Sequence, residues 1–413
     1  MSNRDTQATW DYHNGTKHTW RSVHSGGHHL DWDNQPRPFK LYPGLEGQRL
    51  PADLPPSGVP ALDVLLGRQP AAPPAGAVIP SLQQLAGLLY YSAGITKRGV
   101  VAGGGQMYFR AASCTGALYH IELYLVCGDL PGLPAGVYHF APHDFSLRCL
   151  RQGDFRGVLA QASGDEPAVV QAPAVIVTTS VFWRNAWKYQ ARAYRHCYWD
   201  SGTILANLLA VGAASQVPVN VVTAFVDAPV NHLLGLDPSR EAALQLVPVG
   251  RTPDQPAPPA SPMPPLALEV APYSRREVDY PAMRAMHAAS SLAVLAEVKE
   301  LRGDPPPLVN PSPGQTLLLA PAPEAELPRD TIEEVIRRRG SSRRFRRAAI
   351  GQQQFGAILS AAGRHLPADF LSTALEASLG KAEGHPGPDV PHRPRGGRPG
   401  PGKLRLYPRP GSG

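Results

Sequence analysis

Cysteine is scarce. The 413 residues hold four, at Cys114, Cys127, Cys149 and Cys197. None forms a C-x-x-C pair, and none stands at short metal-ligand spacing from a histidine. Buried, inert thiols in a reducing, cytoplasmic setting are the expectation. Lysine is scarce too, at 7 against 33 arginines. With abundant Ala, Gly and Pro this matches a GC-rich gene, so arginine number alone carries no argument. Long apolar runs are missing. The stretch 204–226 is interrupted by Asn207, Ser215, Gln216 and Asn220, too polar to span a membrane. The N-terminus, MSNRDTQATW, has no apolar h-region, so no signal peptide is expected. Absent as well are G-x-x-x-x-G-K-[ST], G-x-S-x-G and H-E-x-x-H, which removes P-loop, α/β-hydrolase and zincin chemistry.

The formal charge is +7, which would suit an acidic partner. Its placement argues otherwise. Residues 1–330 hold 25 Lys+Arg and 27 Asp+Glu, a net −2, whereas residues 331–413 hold 15 and 6, a net +9. The body is near neutral, so no nucleic-acid partner is expected.

Residues 1–60 read as an arm with few periodic signals. Its histidines His13, His18, His24, His28 and His29 lack a carboxylate or cysteine at ligand spacing, so no metal site is expected. From 61 to 250 helical and strand patterns mix without regular β-α-β alternation, which predicts an α+β domain. Leu82, Leu85, Leu88 and Leu89 have helical spacing after a capping Ser81, and Gly94 can end that helix. Residues 121–127 and 136–140 predict two antiparallel strands, and 174–179 and 219–223 two more. Residues 184–215 predict two helices broken near Ser201-Gly202. Residues 251–328 form a proline-rich linker with one helix, 283–301. A new helix opens at 329, capped by Asp330 or Thr331. Beyond Leu371 apolar periodicity stops, and 372–413 is rich in Pro, Gly and Arg. This predicts a disordered tail, or a reading frame lost after Leu371.

Three segments carry chemistry. Arg339, Ser341 and Arg343 form R-x-S-x-R, whose guanidinium forks and hydroxyl suit a phosphate; a solvated basic helix end would look the same. Ser113, Cys114, Thr115 and Gly116 form a small-residue loop through which backbone can approach a flat ligand, or simply a tight turn into a strand. Lys188 and Tyr189 follow Trp183 and Trp187. A lysine desolvated among aromatics could act as a base; the alternative is an amphipathic helix with a snorkelling lysine.

Taken in order, these pieces resemble one family. Tyr12-His13-Asn14-Gly15-Thr16-Lys17-His18, Leu30-Asp31-Trp32 with Asn34-Gln35-Pro36, Ser92-Ala93-Gly94-Ile95-Thr96-Lys97 and the run Gly116 to Tyr124 look like the SagB/ThcOx-type dehydrogenases, nitroreductase-like flavoproteins. Lys188-Tyr189, Tyr194-Arg195, Asp200-Ser201-Gly202 and Asn207-Leu208-Leu209 extend the match, which is dense over about 10–250. Residues 329–371 resemble the start of a second, incomplete nitroreductase-like module. The resemblance implies a nitroreductase-like α+β fold binding FMN at a dimer or pseudo-dimer interface, so a homodimer is one assembly it allows. It further implies Arg339, Ser341 and Arg343 on the phosphate, and Ser113, Cys114, Thr115 and Gly116 along the isoalloxazine. Lys188 would be the general base and Tyr189 its partner. The implied reaction dehydrogenates a thiazoline or oxazoline on a peptide or small molecule. An NAD(P)H-dependent nitro or quinone reductase and a non-catalytic partner-binding subunit are the alternatives. Two departures stand out. The family loop reads Pro-Ser-Ala-Gly where this chain has Ser113-Cys114-Thr115-Gly116. The first module's place for R-x-S-x-R is Arg68-Gln69-Pro70-Ala71-Ala72, which keeps only Arg68.

Overall fold

The computed structural model describes residues 5–24, 27–68, 76–100, 105–302, 316–318, 323–363, 366, 368–369 and 403–405. The expected tail, 372–413, lies outside the described residues apart from the last three of these.

Eight strands frame the site. β1 (Gly47–Arg49), β4 (Ile121–Cys127), β5 (Gly136–Ala141), β6 (Ser146–Gln152), β7 (Ala174–Val181) and β8 (Glu241–Val249) form one sheet in the order β1-β6-β5-β4-β7-β8. Every pairing in it is antiparallel. β2 (Ile95–Val100) and β3 (Gln106–Arg110) make a separate antiparallel ladder. The central strands are buried on both faces, which explains their unbroken apolar character. In β4, Leu123, Leu125 and Cys127 enter one core, while Tyr124 and Val126 enter the other. That alternation is the period of two of an extended chain.

The helices used below are α1 (Thr6–Thr16), α2 (Leu82–Ala93), α3 (Phe182–Tyr189), α4 (Ala193–Ala214), α5 (Pro281–Ser290) and α6 (Ile332–Arg338). α2 starts at a Ser81–Gln84 capping box and ends at Gly94, as its sequence predicts. α1 gives the N-terminal arm more order than its sequence suggests: Tyr12 Oη donates to the Ala191 carbonyl at 2.7 Å, and Arg195 of α4 grips Thr16 and His13.

Three expectations need correction. The break expected near Ser201-Gly202 lies at Gln190–Arg192, where Gln190 has φ 51° and cannot continue a right-handed helix. α4 runs straight through Gly202, because a buried face of Cys197, Ser201, Ile204, Leu208 and Val211 outweighs one weak helix former. The strand expected at 219–223 makes only isolated bridges, Val219 to Val249 and Val222 to Leu246. Its neighbour β8 carries Pro248, whose missing N–H cannot extend a ladder. The helix expected over 283–301 is two helices, α5 and Leu295–Leu301. The chain between them turns aside so that Leu292 can exchange hydrogen bonds with Asp227.

The prolines of 253–265 form no regular element, yet they lie close: the Pro258 carbonyl leaves no room for a Cβ on Gly157. α6 is capped by Thr331, with Glu334 completing the capping box. Its Ile332 and Ile336 enter the same core as β4 and α2. The Ala61 N–H donates to the Asp330 carbonyl at 2.9 Å, and the Ser57 N–H to Glu333 at 3.1 Å. The expected 353–359 helix spans Gln352–Ala362, with only Gly356 of its residues buried. Among the described residues no helix is long and apolar enough to cross a membrane.

Candidate functional site

The small-residue loop joins β3 to β4 across the end of α2. Its backbone is fixed there: the Ala111 N–H donates to the Gly94 carbonyl at 2.9 Å, and the Ala112 N–H to the Ser92 carbonyl at 3.2 Å. Gly116 sits at φ 68°, a conformation glycine adopts at no steric cost. Ala117 and Tyr119 follow with φ 55° and 48°. Such left-handed non-glycine residues persist where surrounding contacts over-determine them. Ser113, Gly116 and Ala117 face outward, so the loop presents a surface of small groups.

One carboxylate holds this loop. Asp200 of α4 accepts from the Thr115 N–H at 2.9 Å, Thr115 Oγ1 at 2.8 Å and Cys114 Sγ at 3.1 Å. His120 Nε2 lies 2.9 Å from the same carboxylate, and its Nδ1 is 2.8 Å from Ser180 Oγ. Burial works against the Asp200 charge, yet the hydrogen bonds from His120, Cys114 and Thr115 hold the group below the usual carboxylate range. Burial pushes the Cys114 thiol up, and the Asp200 charge adds to that rise. Burial lowers His120. Cys114, His120 and Asp200 place donor atoms within 4.8 Å of one another, a set of types able to hold a cation. Their mutual hydrogen bonds already account for the convergence.

α3 starts where β7 ends and brings the aromatic-lysine segment to the loop. Its first turns are anchored from beneath. Arg184 is fully buried, ion-pairs with Glu122 and donates to the Tyr119 carbonyl at 2.5 Å. Asn185 reaches the Thr115 carbonyl at 3.4 Å and His196 at 2.6 Å. At the far end, Lys188 and Tyr189 are half-buried against Gly116. A Cβ on Gly116 would lie 2.8 Å from Tyr189 Oη and 3.4 Å from Lys188 Cδ. Lys188 Nζ sits 5.6 Å from the Tyr189 ring centroid. The expected catalytic pair and the expected ligand loop therefore share one wall. Burial raises the Tyr189 phenol and lowers His196, packed edge-on against it, to about 4.

The basic motif arrives from α6. Arg337 donates to Tyr91 Oη at 2.5 Å. Arg339 donates through Nε to the Ala111 carbonyl at 3.1 Å and through Nη2 to the Arg110 carbonyl at 3.2 Å. Arg339 is thus brought to the small-residue loop inside one chain. Ser341 and Arg343 are exposed and make no side-chain bond among the described residues.

A narrow cleft beside the loop is lined by Ser92, Ala112, Ser113, Cys114, Asp200 and Arg110. Sequence reasoning missed the roles of Asp200, His120, Asn185 and Arg110. Asp200 stands 85 residues from Thr115, and nothing local announces such a bond. A surface of small residues with no room for a Cβ at Gly116, a buried arginine with an unpartnered Nε and a second arginine at the loop suit a flat, anionic ligand such as FMN.

Comparison with known proteins agrees with this architecture. No family model matches the chain. A Methanocaldococcus jannaschii protein provisionally named a nitroreductase is 26% identical over 172 residues, 41% of this chain and 81% of that protein. The crystal structure of an Anabaena variabilis protein, also provisionally named a nitroreductase, superposes with a TM-score of 0.62 at 25% identity. It covers 85% of this chain and 67% of that one. The Escherichia coli microcin synthetase McbBCD complex with truncated pro-MccB17 matches 45% of this chain and 71% of a chain of that complex. The TM-score there is 0.38 at 21% identity, too low for its substrate to inform this protein. The mixed sheet and helices are therefore those of a nitroreductase-like α+β fold.

Proposed function

We propose that this protein is an FMN-dependent oxidoreductase that dehydrogenates a thiazoline- or oxazoline-type heterocycle carried by a peptide or small molecule. The observation that carries the reading is the packing of Lys188 and Tyr189 against Gly116, which joins a candidate base to a candidate cofactor loop. Bound FMN supplies the two-electron acceptor. Lys188 Nζ takes the ring proton, and Tyr189 holds the lysine in place across its ring. Ser113, Cys114, Thr115 and Gly116 lie along the isoalloxazine. Arg339, with Ser341 and Arg343, attracts the phosphate. A homodimer remains part of the proposal, since a partner copy would cover the exposed Ser341 and Arg343.

A second reading, reduction of nitro or quinone compounds with NAD(P)H, draws on the names of the two relatives. Lys188→Ala separates them. For the first reading, azoline oxidation falls about 10²- to 10⁴-fold, the usual worth of a general base, while quinone reduction persists. Equal azoline oxidation by both proteins would remove Lys188 from the mechanism. Purified protein without flavin colour after reconstitution would remove both enzyme readings and leave a partner-binding subunit.

A further inference from the structure

Arg110, the last residue of β3, is buried to 3% exposure and lines the cleft beside Cys114. Its guanidinium is sandwiched between Phe39 and Tyr119, 5.5 and 5.1 Å from their ring centroids. Nη2 donates to the Pro38 carbonyl at 2.7 Å, and Nε has no partner. No carboxylate among the described residues lies within ion-pairing distance of it. The two other buried cations nearby are both neutralised: Arg184 by Glu122 and Lys40 by Glu241. Glu122, whose charge Arg110 feels, is also engaged by His139. A buried cation left without a counter-ion is costly unless a ligand supplies one.

We propose that Arg110 supplies the positive charge that compensates an anionic reduced cofactor in this cleft, an inference that rests on the FMN reading above. A flavin that accepts a hydride gains two electrons and one proton. Unless a second proton follows, it carries one more negative charge than before. Arginine keeps its own proton near neutrality; burial lowers Arg110, but only to about 10. It therefore balances charge and does not deliver a proton. A substrate carboxylate is the other source of such an anion, and the test separates the two.

The full-length chain is reconstituted with FMN, and the midpoint potential is measured from pH 6 to 8 for the native protein, Arg110→Gln and Arg110→Lys. Uptake of one proton with two electrons gives the native protein a slope of about 30 mV per pH unit, tenfold in proton activity being about 30 mV for a two-electron couple. Arg110→Gln weakens the preference for the reduced cofactor tenfold or more, lowering the potential by at least about 30 mV. Arg110→Lys stays close to native. A native slope twice as steep overturns the inference, and does so without any variant having to fold. Equal shifts in both variants would mark a packing role and also overturn it. So would an unmoved potential in Arg110→Gln with a tenfold rise in KM for a carboxylate-bearing substrate. Failure of the native protein to bind FMN at all would instead strike the reading beneath, and this inference with it.

Discussion

Asp200 illustrates how much rests on one side chain. It gathers the Thr115 amide and hydroxyl, the Cys114 thiol and His120 on two oxygens. Because its carboxyl is held below its ordinary range, it contributes stability that is present above the unfolded pKa and lost as pH falls through the folded one. Asp200→Asn presents an amide where donors converge, so a buried N–H is left facing other donors. The expected cost is about 1–3 kcal/mol, with weaker FMN binding and a shallower acid limb in urea unfolding. Native-like FMN affinity in that variant would show that the loop holds its shape unaided. The sequence displayed the loop, the lysine-tyrosine pair and the basic motif, since each is a contiguous string. Asp200, His120 and Arg110 were not legible, because their roles come from side chains meeting across the fold.

Among the elements, agreement follows locality. α2, with its cap, stripe and terminal glycine in consecutive residues, matches its sequence reading closely. β4, β5 and β7 do too, because strands buried on both faces are plainly apolar. The failures are junctions decided from outside. The gap between α5 and Leu295–Leu301 is set by Asp227, the first residue of the Asp227–Leu234 helix, which binds the Leu292 amide at 2.7 Å. Burial raises the Asp227 carboxyl from 3.8 to about 7. Between those values the folded protein keeps a proton that the unfolded chain has lost, so stability declines as pH rises and levels off above about 7. Asp227→Asn should abolish that decline, measured as urea midpoints from pH 4 to 8. An unchanged slope would assign the decline to other groups.

At the scale of the whole molecule, the opening charge reads differently. The basic excess beyond residue 330 begins with Arg337 and Arg339, which bind Tyr91 and the carbonyls of residues 110–111. The segment that starts after the proline-rich stretch is thus built into the first core through Ile332 and Ile336. Each buried isoleucine is worth roughly 1.5–3 kcal/mol by burial alone. Residues 1–302 and 323–413 produced as two separate chains should therefore copurify, and Ile336→Asp should part them. Two pieces that never associate would show that tethering, not contact, keeps them together.

The grip of Arg339 on the carbonyls of residues 110 and 111 also makes the loop a meeting point of distant stretches of chain. β3 leads into it, α4 ties it down through Asp200, α3 walls it with Lys188 and Tyr189, and α6 clasps its entrance. These contributors are separated in the sequence by up to 229 residues. A ribosome must therefore have delivered almost the entire described chain before this surface exists in finished form. Any nascent chain stalled short of Arg339 would carry the lysine and the small-residue loop, but lack the clasp at the loop's entrance.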